Sequence, residues 1–127
     1  MAPRTSLTSR NASLTAMVTR LNNGYLRIYT GSQPATPETA ASGTLLADLR
    51  FGATSGTVAG GIFTANAITQ DTSADATGTA GWFRCFQSDG TTVEFDGLAG
   101  AELVLDNYDI VAGGTVSITA LTYTLGM

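Results

Sequence analysis

Short segments in which apolar and polar residues alternate, separated by glycine-rich turns, constrain the fold of this chain most. The segment at 25–30 is the clearest, with Leu26 and Ile28 on one face and two tyrosines and an arginine on the other. Alternation with period two predicts half-buried β-strands. Turn signals recur about every 8–12 residues, a spacing typical of antiparallel sandwiches and jelly rolls. Strands do not alternate with helical segments, which argues against a parallel α/β sheet.

The strand pattern predicts an all-β fold, an antiparallel β-sandwich or jelly-roll-like domain over residues 25–125. The predicted strands are 25–30, 45–51, 62–70, 79–87, 91–95, 103–105 and 115–125. The predicted turns and loops include 31–43, 52–61, 71–78 and 106–114, the last with Ile110 and Val111 turned inward. In the final strand the apolar positions change parity near Ala120, which predicts a β-bulge or a bend between two sheets.

One short N-terminal helix is predicted before the strands. Leu14, Met17, Val18 and Leu21 are spaced as one apolar face of a helix, which we place at residues 14–22. Residues 1–13 lack an apolar pattern and are predicted to form an extended N-terminal arm. A length of 127 residues fits a single domain, 1–127.

The residue types that most enzymes use for catalysis are missing. The chain contains no histidine, no lysine and a single cysteine, Cys85, inside an apolar strand pattern. These side chains supply most general bases, covalent nucleophiles and soft metal ligands. We therefore predict that the protein is not an enzyme and holds no cofactor or metal, and that Cys85 is a small buried residue.

Charge and hydropathy narrow the class of partner. The net charge is −4, from ten acidic residues and six scattered arginines, whereas nucleic-acid binding needs clustered positive charge. No apolar run approaches the roughly 20 residues of a membrane-spanning helix, and the first residues show no signal-peptide pattern. We expect no nucleic-acid partner, no membrane partner and synthesis in a cytoplasm.

Acidic residues leave two further hypotheses open. Glu94 and Asp96 share one face of a strand, about 7 Å apart, and a carboxylate pair is what glycoside hydrolysis requires. Their position near a hairpin favours a solvated face instead. Loop aspartates could bind calcium through oxygen ligands, although aspartate also stabilises turns without an ion. The candidates are Asp71, Asp75, Asp89, Asp106 and Asp109.

Tyrosines on the second face of the first strand form a candidate binding surface. Tyr25 and Tyr29 flank Arg27 there, and Tyr108 falls in a predicted loop. Exposed rings of this kind can bind sugars, so a carbohydrate-binding module is one hypothesis. Tyrosine and arginine are also enriched in protein interfaces, and we favour a subunit interface.

Several stretches resemble small virion proteins encoded beside the major capsid genes of tailed bacteriophages. They are LRIYTGSQPAT (26–36), LLADL (45–49), SADATGTA (73–80), WFR (82–84), SDGTTV (88–93) and GTVSITALTYTL (114–125). The resemblance covers about residues 24–126 and implies a virion structural protein made in the host cytoplasm. Within that class it favours a head decoration, or cement, protein on the outer capsid surface. Tail and head–tail connector proteins are the alternative.

Decoration proteins of this kind are often β-sandwiches and frequently homotrimers that bind the major capsid protein. The resemblance supplies no active site, so the expected contacts come from the arm, the helix, the first strand and the proline-containing loop. The residues expected to contact the capsid or other subunits are Arg4, Arg10, Met17, Arg20, Tyr25, Arg27, Tyr29, Pro34 and Pro37. Deleting residues 1–13 is expected to weaken retention on the capsid and to leave the fold intact.

Overall fold

The structure is a computed structural model that describes residues 6–125. It is mostly β, with antiparallel sheets and one helix, as the strand pattern predicts. The elements are α1 (Leu7–Leu21), β1 (Tyr25–Tyr29), β2 (Leu45–Arg50), β3 (Gly56–Ala59), β4 (Ile62–Ala65), β5 (Gly78–Thr79), β6 (Trp82–Phe86), β7 (Val93–Leu98), β8 (Leu103–Leu105), β9 (Asp109–Ile110) and β10 (Ile118–Thr124).

Two four-stranded sheets carry most of the described chain. The first has the strand order β2-β1-β6-β7 and the second has the order β3-β4-β10-β8. Strands β5 and β9 form a separate two-stranded ribbon. The hairpins β1–β2, β3–β4 and β6–β7 join neighbours directly, whereas β10 enters the second sheet between β4 and β8.

One hydrophobic cluster joins both sheets and the helix. Leu26 and Phe83 come from the first sheet and Phe63 and Leu121 from the second, and all four side chains are at most 1% exposed. Phe95 of β7 meets Tyr123 of β10 edge to face, with ring centroids 4.8 Å apart. Burying a large apolar side chain contributes roughly 1.5–3 kcal/mol, so this shared cluster holds the two sheets together.

Cys85 lies in the same cluster with none of its surface exposed, as the apolar pattern around it predicts. Burial raises the pKa of its thiol well above the usual value. A buried thiol that stays protonated packs as a small apolar side chain.

The helix is longer than its apolar face predicts. It begins at Leu7, where the Ser6 hydroxyl caps it by accepting a hydrogen bond from the Ser9 amide at 3.2 Å. The prediction of an extended arm is therefore wrong for residues 7–13, and residues 1–5 lie outside the described part. Asn11 anchors the added turns because its side-chain oxygen accepts from the Gly61 amide at 2.9 Å. Deleting residues 1–13 would remove this anchor together with the start of α1.

The end of α1 is fixed to the segment before β3. The Ser55 hydroxyl donates to the carbonyl of Val18 at 2.8 Å, and the Asn22 side chain accepts from the Ser55 amide at 2.8 Å. Ser55 is 1% exposed. The two bonds give partners to its buried amide and hydroxyl, and a buried hydroxyl without a partner would destabilise the fold. Both ends of α1 are thus attached to the second sheet, and Leu14 and Leu21 enter the core.

The structure corrects several predicted strand limits. The predicted turn region 52–61 contains β3, and the predicted strand 62–70 forms a continuous strand only as far as Ala65. Ile110 is buried as predicted, but Val111 is 63% exposed. The predicted parity change in the last strand is confirmed, because the β10–β8 register shifts between Ile118 and Ala120.

Candidate functional site

Strands β1 and β6 carry the same pattern, an aromatic residue, an arginine and an aromatic residue at alternate positions. The two strands are antiparallel neighbours whose register places Tyr25 opposite Phe86, Arg27 opposite Arg84 and Tyr29 opposite Trp82. These six residues lie on the side of the first sheet that faces away from the shared core, which contains their neighbours Leu26, Ile28, Phe83 and Cys85. We call them the aromatic–arginine face.

Four charged side chains form a row across this sheet. The register aligns Asp48 of β2 with Arg27, Arg27 with Arg84, and Arg84 with Asp96 of β7. Like charges on directly opposed residues destabilise a sheet, but each arginine here has a carboxylate on its outer side. The two acidic residues therefore compensate the two central arginines.

The Arg84–Asp96 pair is the buried half of the row. Arg84 donates from Nε to Oδ1 at 2.7 Å and from an Nη atom to Oδ2 at 2.9 Å. The side chains are 5% and 0% exposed. The hydrogen bonds that Arg84 donates to Asp96 raise the pKa of Arg84. A bidentate geometry of this kind is the strong form of the arginine–carboxylate contact.

The Arg27 half of the row is more open to solvent. Arg27 Nε donates to Asp48 at 3.3 Å, and its side chain is 25% exposed. Its guanidinium lies 4.6 Å from the centre of the Phe86 ring, and Arg50 stacks on Tyr25 at 3.9 Å. Cation–π contacts at accessible sites contribute about 0.5–1 kcal/mol each. Tyr25, Arg27 and Arg50 thus form a rigid, solvent-accessible patch of the kind found in protein interfaces.

The other end of the aromatic–arginine face is covered. Tyr29 and Trp82 stack with ring centroids 4.6 Å apart, Trp82 is fully buried, and Tyr29 is 9% exposed. Burial raises the pKa of the Tyr29 hydroxyl. Among the described residues nothing accepts a hydrogen bond from the indole nitrogen of Trp82. The expectation that Tyr29 belongs to an exposed face is therefore wrong.

The long loop between β1 and β2, residues 30–44, covers this end, and we call it the roof loop. Its base is closed by hydrogen bonds between Thr30 and Thr44 of 2.9 and 3.0 Å. Its tip, residues 37–40, faces Arg84 and Glu94 across an open pocket of about 420 Å³. Since the loop leaves β1 and its tip reaches β7, it crosses β6, the strand that carries Trp82.

The two carboxylates considered for catalysis are held by arginines. Glu94 accepts from Arg20 Nε at 2.8 Å and from the Gln87 amide at 2.6 Å, while Asp96 binds Arg84. The Glu94 and Asp96 side chains are only 10% and 0% exposed. The expectation of a solvated face is wrong because their partners come from α1 and β6, which the sequence alone does not place nearby.

Several of the loop aspartates serve as acceptors in turns. Asp71 accepts from the amides of Ser73 and Asp48, and Asp89 accepts from the Thr91 and Thr92 amides and from the Thr92 hydroxyl. These bonds lower the pKa of Asp89 to about 2. Within residues 6–125, no group of three or more metal-binding side chains comes together.

The structure brings together some of the predicted contact residues and separates others. Arg20 binds Glu94, which lines the pocket under the roof loop, and Pro37 lines the same pocket. Arg10 lies about 15 Å from Arg20 along α1 by helical rise, next to Gly61. The remaining predicted contacts occupy different settings. Met17 packs against the core, Pro34 is half-buried in the roof loop, and Arg4 lies outside the described residues.

The three tyrosines proposed as a sugar platform do not form one exposed surface. Tyr29 is covered, and Tyr108 packs against the core while its hydroxyl accepts from the Leu105 amide at 3.3 Å. Tyr25 is half-buried with Arg50 on its ring, and Tyr108, also half-buried, lies outside the strand that carries Tyr25. Sequence reasoning missed Trp82, Arg84 and Phe86 as parts of the site. The shared aromatic–arginine–aromatic pattern of 25–29 and 82–86 is the signal that points to them.

Comparisons of the chain with protein-family models, curated protein sequences and solved structures found no match. The single helix of the described part is neither long nor apolar enough to cross a membrane.

Proposed function

We propose that the chain is a structural component of a tailed-phage virion, a head decoration protein that binds the assembled major capsid protein on the outer capsid surface. The observation that carries this proposal is the accessible patch of Tyr25, Arg27 and Arg50. Tyrosine and arginine dominate interface hot spots, and here cation–π and ion-pair contacts hold their side chains in place before any partner binds.

The environment of the acidic groups supports a binding role and a protein that is not an enzyme. A general acid or base must be free to exchange a proton with a bound substrate. Glu94 and Asp96 are instead occupied by Arg20 and Arg84. These pairs stiffen the sheet that carries the accessible patch, which suits a surface used for docking.

The arrangement of the two sheets supports the same proposal. Two four-stranded antiparallel sheets that share one core suit a β-sandwich of jelly-roll-like topology, as expected for small virion proteins. A protein that binds only the assembled shell stabilises that shell by mass action. An oligomer that binds several lattice positions at once is retained through multivalency, so each single contact can be weak.

Co-sedimentation with empty shells of the major capsid protein from the same phage tests the proposal. We expect the chain to pellet with assembled shells and to stay in the supernatant with unassembled capsid subunits. Arg50→Gln is expected to weaken shell binding about tenfold, as for a hot-spot residue that contributes about 1.4 kcal/mol. Asp106→Asn, which removes one charge from an exposed loop residue, is the matched control.

The alternatives give different results in the same experiment. Absence of the chain from the shell pellet at saturating concentration would refute the decoration role. Binding to purified tails but not to shells would assign the chain to the tail or the head–tail connector. Mass measurement of the complexes then tests the expected homotrimer, because a trimer places three copies at each lattice site.

A further inference from the structure

The roof loop makes its hydrogen bonds within itself. They join Thr30 with Thr44 at its base and Thr36 with Thr39 near its tip, and one more links the two arms of the loop. In the described part of the chain, no hydrogen bond joins residues 31–43 to another segment. The loop is therefore attached to the first sheet by its two ends and by packing alone.

The packing of the roof loop on the sheet is sparse. Every residue of 31–44 is exposed except Pro34 and Pro37, which are half-buried. An open pocket of about 420 Å³ separates the tip of the loop from the sheet, where Arg84 and Glu94 line it. Segments with few buried apolar groups and no hydrogen bonds to their surroundings are those that open locally while the rest of a protein stays folded.

A glycine with a left-handed backbone stands at each end of the roof loop. Gly31 and Gly43 both have a φ of +84°, and glycine changes its backbone angles more easily than any other residue. The hinges of lids are a few such positions at the ends of a loop. Both glycines lie inside the base formed by Thr30 and Thr44, so rotation at the glycines moves the loop and leaves the base closed.

The covered end of the aromatic–arginine face contains a hydrogen-bond donor without an acceptor. The roof loop begins directly after Tyr29, and its tip faces Arg84, so it spans the part of β6 that carries Trp82. Trp82 is fully buried, and its indole N–H finds no acceptor among the described residues. A buried donor without an acceptor destabilises the form that buries it. Movement of the loop away from the sheet would give this N–H to water, which lowers the free energy needed for opening.

We propose that the roof loop is a lid that opens as a unit about Gly31 and Gly43 and uncovers Tyr29 and Trp82. The free chain opens and closes in this way without a partner, and the closed form predominates. With the lid open, the two rings join Tyr25 and the arginines in one continuous aromatic–arginine face. The use of these rings as added contact area for the capsid protein rests on the proposed function, and large aromatic side chains are typical of such contacts.

Hydrogen exchange of the Trp82 indole N–H tests the lid in the purified protein, because the chain has one tryptophan. Exchange through a local opening exposes little surface and depends weakly on urea, whereas exchange through global unfolding accelerates strongly with urea. We expect the indole N–H to exchange faster than the amides of the buried residues Leu26 and Phe83, and to do so almost independently of urea. Exchange of the indole together with these amides, with the same dependence on urea, would overturn the proposal.

A matched pair of glycine substitutions tests the hinge. A Cβ on Gly31 meets no atom within 4 Å, so Gly31→Ala strains only the backbone of the closed loop. It should accelerate indole exchange about tenfold, the factor that corresponds to about 1.4 kcal/mol. Gly113 also has a positive φ, +81°, and no atom within 4 Å of its Cβ position, but it lies in another loop. Gly113→Ala should leave indole exchange unchanged.

Circular dichroism checks that both variants fold. Equal indole exchange in folded Gly31→Ala and Gly113→Ala would overturn the hinge. If Gly31→Ala does not fold, the urea dependence of exchange in the wild type decides the proposal by itself.

Binding to capsid shells tests the use of the uncovered rings separately. A larger open population lowers the apparent dissociation constant of a partner that prefers the open form. Gly31→Ala should therefore bind shells more tightly than Gly113→Ala, by up to about tenfold. Equal shell binding by the two variants would refute a role of the lid in docking. Shells that bind neither variant nor the wild type would refute the decoration role alone, because indole exchange decides the lid without shells.

Discussion

At the scale of single residues, two arginine–aspartate pairs cross neighbouring strands of the first sheet. Arg27 and Arg84 face each other across β1 and β6, and each is compensated by an aspartate on the neighbouring outer strand. The buried pair, Arg84 with Asp96, satisfies both guanidinium and carboxylate, whereas either group alone would be an uncompensated buried charge. The row therefore lines up one residue from each of the four strands in a single register.

Removal of one partner from the buried pair should destabilise the fold strongly. Asp96→Asn leaves Arg84 without a negative partner and opposite Arg27, and the free energy of unfolding should fall by about 3–5 kcal/mol. Urea unfolding followed by circular dichroism measures this loss. Asp109→Asn, at an exposed site that accepts one bond from Thr79, is the matched control, and its loss should stay within about 1 kcal/mol. Equal losses in the two variants would contradict the argument.

The titration of Asp48 should report on the ion pair that it forms with Arg27. Burial raises the pKa of Asp48, Arg27 opposes this rise, and Asp75 and Asp71 add to it. A raised pKa means that the folded state binds the proton more tightly, so this carboxyl stabilises the fold at low pH. That contribution is lost as pH rises through the pKa of the folded state.

Arg27→Met should therefore raise the pKa of Asp48 further, because only the opposing charge is removed. NMR titration of the carboxyl carbons measures the shift. Asp89, whose pKa of about 2 depends on bonds from Thr92 and Thr91, should titrate as before and is the internal control. An Asp48 pKa that falls or stays constant in Arg27→Met would show that the ion pair is not formed in solution.

At the scale of elements, the roof loop separates the covered and open ends of the aromatic–arginine face. It is closed at its base by Thr30 and Thr44 and by a bond of 3.2 Å from Ser42 to Ser32, while its tip reaches Arg84 and Glu94. Trp82 and Tyr29 lie outside the shared core cluster. Their burial therefore does not come from the packing between the sheets, and we expect the roof loop to provide it.

Shortening the roof loop should expose the single tryptophan of the chain without unfolding it. Replacing residues 33–41 by two glycines connects Ser32 and Ser42, which already share a hydrogen bond, by a short turn. Trp82 fluorescence should then shift to longer wavelength, and acrylamide should quench it more strongly, because the stacked rings meet water. Pro37→Ala, with the loop at full length, is the control. Unchanged quenching together with an unchanged circular dichroism spectrum would show that another segment covers Trp82.

The elements also show what the sequence could predict. β1, β2 and β8 were predicted nearly to the residue because their apolar positions alternate, although Tyr29 of β1 and Leu46 of β2 are buried outside that alternation. β3 was missed because Gly56–Ala59 contains small residues without an alternating apolar pattern. The first turns of α1 were missed for a related reason, since a cap at Ser6 and a side-chain bond from Gly61 hold them without an apolar stripe.

The candidate site was less predictable than the fold because it depends on contacts between distant segments. The sequence places Tyr25, Arg27 and Tyr29 on one face of β1 but does not reveal that β6 is its neighbour or that the roof loop folds over Tyr29. Glu94 and Asp96 share parity on a strand, yet the arginines that bind them lie 74 and 12 residues away in sequence. Register and loop closure, rather than local pattern, decide these contacts.

At the scale of the whole molecule, the two sheets present opposite kinds of surface. The first sheet offers aromatic and arginine side chains fixed by cation–π contacts and ion pairs. The second offers mainly threonine and aliphatic side chains along its strands, with Glu102 beside Thr122 at the β8 edge. The proposed capsid contact uses the first sheet, whose side chains are held in place before a partner binds.

Salt should weaken the proposed capsid contact, because dissolved ions screen the charges that take part in it. At about 0.1 M ionic strength the Debye length is about 10 Å, and at about 1 M it is about 3 Å. Raising the salt concentration over this range should weaken binding to capsid shells if Arg27 and Arg50 carry part of that contact. Co-sedimentation with shells at the two ionic strengths measures the change in the dissociation constant. Shell binding that stays constant or strengthens at about 1 M salt would contradict a contact through Arg27 and Arg50.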